Sequence, residues 1–280
     1  MTVKVVTDSA CDLPQELADE LGITIVPLTV RFGEEEFVDR RDLTAAEFWA
    51  RCDASPTLPE TAAPSPGAFE AAFRSAADEG HDGVVAVLLS GGLSATLQAA
   101  QVAADGVSDV IRVRTVDSKQ ASAALGVIAL NAARWAATGG KVDEIADGAE
   151  DEARRTRLYA TFDTLEYLRK GGRIGRAQAF LGSMLSMKPV IELVDGVVEP
   201  ESRQRTRGRS IQHLAAKVRE AMPVEHLLLL HADAPDHEEL LGMISELVPR
   251  DDIIVTKIGA VIGTHAGPRA MGVAFQVPPS

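Results

Sequence analysis

Cysteine is nearly absent from these 280 residues: Cys11 and Cys52 are the only two, and no C-x-x-C spacing occurs. A disulfide framework and a cysteine-built zinc site are thereby disfavoured, and a reducing, cytoplasmic setting is expected. The six histidines, at 81, 213, 226, 231, 237 and 265, are scattered without metal-ligand spacing, so no metal is expected either. Apolar runs such as the one around Leu227–Leu230 fall far short of the roughly 18 residues of a membrane span. The opening MTVKVVTDSA carries charge and strand-like alternation where a signal peptide would carry an apolar block. Positive charge is scarce as well: Lys+Arg 28 against Asp+Glu 41 leaves a net charge of −13. A body that acidic repels phosphodiester backbones and anionic lipid surfaces, which argues against nucleic-acid binding as the main activity. The phosphate-binding G-K-[ST] ending and the G-x-S-x-G elbow of hydrolases are both missing.

What is present is the makings of a large core. At roughly 100–200 residues per domain the length suggests two domains, and 46% hydrophobic residues are enough to fill them. The first half alternates apolar, β-branched runs with helical patterns. Val3–Asp8, Ile23–Phe32, Gly83–Leu89 and Val110–Val116 read as strands. Between them, helices are expected after Asp12, after Thr44 with Glu47 as a capping box, after Ser65 with Pro66 at the first position, after Ser94, and from Ser118. Strands apolar throughout and separated by helices predict a mainly parallel sheet with flanking helices. In the second half, Asp195-Gly196 between two apolar runs predicts a hairpin, hence a mixed sheet in a second α/β domain. The boundary is placed at 155, giving 1–155 and 156–280.

Four clusters could carry chemistry. The Pro-rich stretch Thr57–Gly67 is either a rigid connection or a stiff support that holds out the Thr61 hydroxyl. Ser90–Thr96, at the carboxyl end of a strand, leads into a helix; Ser94 caps it, meets an anion, or does both. Between 169 and 209, nine Lys/Arg face four acids in an otherwise acidic chain, with Arg173 and Arg205 in two separate basic segments. Such runs are usually solvated faces, but two together favour an anion or partner site. The glycines of this stretch follow a helix and do not form the dinucleotide fingerprint. Finally, His265 lies in the glycine-rich Gly259–Gly272, read as a loop, where it either packs or meets an anion.

Taken in order, these segments resemble the DegV family of bacterial fatty-acid-binding proteins. The similarity runs through VTDSACDLP (Val6–Pro14), TAAPSPG (Thr61–Gly67), SGGLSATLQAA (Ser90–Ala100), VDSKQAS (Val116–Ser122) and LEYLRKGGRIGRAQAFLG (Leu165–Gly182). It continues through KPVIEL from Lys188, RQRTRGR from Arg203 and IGTHAGPRAMGVAF from Ile262. Ala62, Ala63, Gly91 and Arg269 depart from the usual pattern. The resemblance implies a two-domain α/β protein holding one long-chain fatty acid, such as palmitate or oleate, between its domains. It implies that Thr61, Ser94 and His265 bind the carboxylate, and that Arg173 and Arg205 face an anion or partner. It further implies a lipid-binding subunit with no catalytic residues or cofactor of its own, which presents the acid to an ATP-binding kinase for acyl-phosphate formation. Phe162, Leu165, Ile174, Phe180, Leu185 and Ile191 are candidates for the tail pocket.

Two other readings compete. A stand-alone esterase or acyltransferase would use Ser94 and His265, with Asp8 or Asp117 as the orienting acid. A regulatory phosphate- or nucleotide-binding module would use the Arg203–Arg209 patch.

Overall fold

The computed structural model describes residues 2–55, 57–183 and 187–279. Its first half runs β1 (Val3–Asp8), α1 (Gln15–Glu20), β2 (Thr24–Val26), β3 (Thr29–Phe32), β4 (Glu35–Val38), α2 (Ala45–Ala54), β5 (Glu60–Ala62), α3 (Pro66–Asp78), β6 (Gly83–Leu88), α4 (Thr96–Gly106), β7 (Arg112–Asp117), α5 (Ala123–Ala137) and α6 (Val142–Arg155). The strands β2-β1-β6-β7 form a four-stranded sheet, parallel at every pairing. Side chains along β6 alternate between the two faces, as a strand requires. Val84, Ala86 and Leu88 pack with Phe69 and Phe73 of α3 and Ala100 of α4. Val85, Val87 and Leu89 join the larger core with α5. Both faces are therefore apolar, which is why the strands read as unbroken hydrophobic runs.

The remainder runs β8 (Thr156–Thr161), α7 (Glu166–Lys170), β9 (Lys188–Val194), β10 (Val197–Gln204), α8 (Arg207–Ala221), β11 (Glu225–His231), α9 (His237–Ile244), β12 (Ile254–Lys257), α10 (Ala260–Ala266) and β13 (Met271–Gln276). These strands make one mixed sheet, ordered β10-β9-β8-β13-β11-β12, in which the β11–β12 pair is parallel and the rest antiparallel. Asp195 and Gly196 turn the expected β9–β10 hairpin, both at positive φ as its tight turn demands. One face of this sheet is covered by α8 and α9 through Leu214, Val218 and Leu240. The other face, with Leu158, Ala160, Ile191, Leu193 and Leu230, belongs to the same core as β1 and α5.

Four local expectations give way. Ile23–Phe32 is two strands in two different sheets, because Pro27 lacks the amide a continuous strand would need. β3 instead pairs with β4 and β5 in a small antiparallel sheet, and Thr61, opposite Val30, lies on β5 and not on a free loop. Asp12 does not cap a helix; it adopts φ 48 and is buried, while Pro14 precedes α1. His265 lies near the carboxyl end of the short helix α10, within a stretch whose glycines suggested a loop. The capping expected of Thr44 with Glu47, and of Ser65 before Pro66, is observed. Leu165 precedes α7, and the Glu166 amide donates to the Thr164 hydroxyl.

Candidate functional site

A cavity with about 810 Å³ of atom-free space, its mouth included, lies between the inner apolar face of the mixed sheet and the carboxyl end of the parallel sheet. Leu158, Ala160, Ile191, Leu193, Val198 and Leu230 supply the sheet side; Leu28, Leu89, Leu93 and Ala121 close it from the first half of the chain. Its polar side chains are few: Thr61, Ser94, Ser122, Arg173 and His265. A concave apolar space with a handful of convergent polar groups is the usual form of a small-molecule site.

The chain brings Thr61 and His265 together across the whole sequence. The Thr61 hydroxyl lies 2.8 Å from His265 Nε2. Two glycines let α10 approach closely enough. A Cβ on Gly263 would meet the rings of Phe48 and Trp49 at 2.8 Å, and one on Gly171 would meet His265 Nδ1 at 2.2 Å. Burial, with Arg173 nearby, pushes the His265 pKa down to about 4, so the ring is neutral at physiological pH. Among the described residues its Nδ1 is buried without a partner. A bare acceptor costs less in that position than an orphaned N–H. The proton therefore belongs on Nε2, which donates to Thr61 and leaves the Thr61 hydroxyl proton free for an oxygen in the cavity.

Ser94 precedes α4 and does not cap it in the expected way: Ala95 occupies the cap position, while Ser94 Oγ accepts from the Thr96 amide at 3.3 Å and lies 2.8 Å from the Thr96 hydroxyl. Two contacts from the second half of the chain hold this turn. The Ser90 hydroxyl donates to the carbonyl of Gly196 at 2.7 Å, and Arg173 Nε donates to the carbonyl of Leu93 at 3.0 Å. Arg173 also donates to the Gly171 carbonyl at 2.6 Å, so it braces both the Ser94 turn and the support of His265. On the far side of the Thr61–His265 pair lies a second, polar recess lined by Glu60, Tyr167, Lys170, Gly171, Arg173 and Thr264. Thr61, Arg173 and His265 border both spaces.

Thr61, Ser94, Arg173 and His265 thus share one cavity, whereas Arg205 is exposed beyond β10 and does not line it. The basic stretch is less free than its composition suggests: Arg169 and Lys170 pair with Glu166, Arg176 with Glu199, Lys188 with Asp163 and Arg207 with Asp236. Nor is a hydrolytic triad assembled. The Asp8 carboxylate accepts from the Leu89 and Ala10 amides, and that of Asp117 from the Gly91 and Lys119 amides. Of the tail-pocket candidates, Phe162 and Ile191 line the cavity; Leu165 and Ile174 are core, Phe180 packs against that core, and Leu185 lies outside the described residues. Ser122 and the sheet residues other than Ile191 were missed. Period-2 alternation marks the latter as buried but cannot say which face borders a void. No group of three metal-ligating side chains occurs among the described residues, and no helix there is long and apolar enough to cross a membrane.

Residues 2–277 match a family described as "Uncharacterised protein, DegV family". A DegV domain-containing protein of Streptomyces coelicolor is 39% identical over 279 residues, 98% of each chain. Among solved structures, a DegV family protein from Thermus thermophilus, described as fatty-acid binding, superposes with a TM-score of 0.92 at 32% identity, covering 99% of this chain and 100% of that one. DegV from Bacillus subtilis, described as a fatty acid binding protein, gives 0.87 at 31% identity with the same coverage. The full-length matches and the shared architecture agree: this chain belongs to the DegV family.

Proposed function

We propose that this protein binds one long-chain fatty acid, of the palmitate or oleate kind, and presents its carboxylate to an ATP-binding kinase partner that forms the acyl phosphate. The carrying observation is the Thr61–His265 pair at the seam between an apolar cavity and a polar recess. The acyl chain occupies the apolar side, where about 14 buried methylenes at roughly 0.8 kcal/mol each give about 11 kcal/mol of gross transfer energy, part of it offset by ordering. The carboxylate is held by the Thr61 and Ser94 hydroxyls with His265 behind Thr61. Neutral donors suit this position, because they avoid desolvating a full ion pair. Arg173, at the border of both spaces, faces the incoming phosphoryl group, and exposed Arg205 faces the partner. In this reading residues 1–155 and 156–280 act as two units with the lipid between them, the protein contributes no catalytic residue or cofactor, and it works in the cytoplasm. The fatty-acid-binding relatives support the lipid, and the polar recess beside the head-group pair supports delivery to a second protein.

The test is denaturing extraction of the purified protein followed by mass spectrometry. One fatty acid per chain is expected, lost or weakened in a Thr61→Val, Ser94→Ala double variant. Absence of lipid together with failure to take up added palmitate or oleate refutes the reading. Acyl-phosphate formation with a candidate kinase and ATP, abolished without this protein, tests the delivery step.

A further inference from the structure

Asp12 follows a short turn, Ser9–Cys11, and is only 5% exposed. Its carboxylate joins two distant segments: one oxygen accepts from the Ser122 hydroxyl, and the other accepts from the Gly259 amide at 2.9 Å. Its carbonyl accepts from the Thr256 hydroxyl at 2.9 Å. Ser122 precedes α5 and lines the cavity, and Gly259 precedes α10, which carries His265. The three segments approach as closely as chains can. A Cβ on Gly259 would meet the Asp12 carboxylate at 2.7 Å, and one on Gly126 of α5 would meet the Cys11 carbonyl at 2.5 Å. Two residues here hold unusual backbone: Asp12 at φ 48 and Ser122 at φ 54, ψ −149, a region sparsely populated by anything but glycine. Such strain persists only where the surroundings over-determine it, and here one hydrogen bond joins the two strained residues.

We infer that Asp12 is a positioning residue for the fatty-acid head group: its ionised carboxylate ties the cavity wall at Ser122 and the base of the His265 helix to the parallel sheet, and neutralising it loosens the hold on the lipid. This rests on the lipid-binding reading above. An ionised carboxylate accepts charge-assisted bonds from both donors, which are roughly twice as strong as their neutral counterparts. The groups facing it set when the charge is present. Asp39 and Arg40 come from the turn after β4, Cys11 from its own segment, and Lys257 from β12, where it pairs with Asp233 at 2.8 Å; α5 presents the uncharged Ser122, and the start of α10 presents Gly259 and Ala260. Burial pushes the Asp12 pKa up to about 7, against the pull of Ser122, Arg40 and Gly259. The folded state therefore holds this proton more tightly than the unfolded chain. As pH falls through 7, Asp12 makes the fold more stable while weakening the tie. Stability and lipid retention move in opposite directions, which a residue kept for stability alone would not produce.

The experiment loads the full-length protein with a fluorescent hexadecanoic acid and follows its transfer to excess phosphatidylcholine vesicles between about pH 6 and pH 8. Wild-type release is expected to be about tenfold faster at the acid end. Asp12→Asn releases fast throughout, with a flat profile. Ser122→Ala is the second variant: it keeps the carboxylate but removes a bond that lowers the pKa, so its pH midpoint moves upward. Amide exchange of α10 in the lipid-free protein supplies a readout independent of lipid, with Asp12→Asn losing protection there. A wild-type rate and pH profile in both variants, or unchanged α10 protection in Asp12→Asn, overturns the inference. Failure of the wild type to load any lipid instead counts against the lipid-binding reading, and the exchange arm still decides the tie.

Discussion

Gly171→Ala is the most discriminating single change at the head-group pair. Gly171 has φ −73, a conformation any residue adopts, so alanine there carries no backbone strain. Through the unfolded chain alone the substitution stabilises by about 0.4–1 kcal/mol. The added Cβ, however, lands 2.2 Å from His265 Nδ1, with the Tyr167 carbonyl at 3.1 Å on another side. The ring has to move, and it is held at Thr61. Overpacking costs typically about 1–3 kcal/mol, and loss of the Thr61 bond adds about 0.5–1.5 kcal/mol. The collision outweighs the entropic gain, leaving a net loss of about 0.5–4 kcal/mol. Urea unfolding of the lipid-free protein measures it. A double-mutant cycle with His265→Ala isolates the cause, because with the ring gone the same glycine change turns neutral or stabilising. Gly171→Ala as stable as the wild type, or equally costly in both backgrounds, would refute the reasoning.

Other consequences follow from the same geometry. Thr61→Val preserves shape but leaves His265 Nε2 buried without its partner, a cost of about 1–3 kcal/mol in urea unfolding, accompanied by reduced copurifying lipid. Arg173→Gln removes the charge that helps burial hold the His265 pKa down, so the His265 titration followed by NMR moves up from about 4. Gly196→Ala places a Cβ 2.4 Å from the Ser90 hydroxyl at a position with φ +82, so it undocks the hairpin tip from the Ser94 turn and lowers both unfolding midpoint and lipid uptake. The pH dependence has a worked sign. Burial lifts Asp8 to about 6 and Asp12 to about 7, so both add stability as pH falls below those values, whereas His265, lowered from 6.5 to about 4, subtracts it across that interval. His265→Gln removes the opposing contribution, and urea midpoints measured from about pH 8 to pH 5 then rise more steeply than in the wild type.

Strand and helix identities were legible wherever local pattern and burial agree. The apolar runs of β1 and β6 predict a sheet covered on both faces, Asp195-Gly196 predicts its hairpin, and Thr44 and Ser65 predict their helix starts, because capping and turn chemistry act within four residues. Four stretches of sequence held Thr61, Ser94, Arg173 and His265; residue type left each between a structural and an anion-binding role, and the resemblance to the DegV family pointed to the head group. Other features depended on contacts between distant segments. That β3 leaves the parallel sheet and recruits β5, placing Thr61 on a strand, follows from Pro27 and from pairing partners far along the chain. That GAVIGTHAG is helical follows from Phe48, Trp49 and Tyr167, against which its glycines pack; their intrinsic preference points the other way. The Arg169–Arg209 stretch looked like an open basic patch until its acidic partners, Asp236 among them, were brought in from elsewhere. Asp12 offered an ordinary helix-cap signal and instead joins Ser122 to Gly259. Local sequence determined most of the strands and helices and offered the polar side chains as candidates. Only tertiary structure decided which polar groups share a cavity, because that requires closing loops of 80 to 204 residues, whose pairing no local pattern encodes.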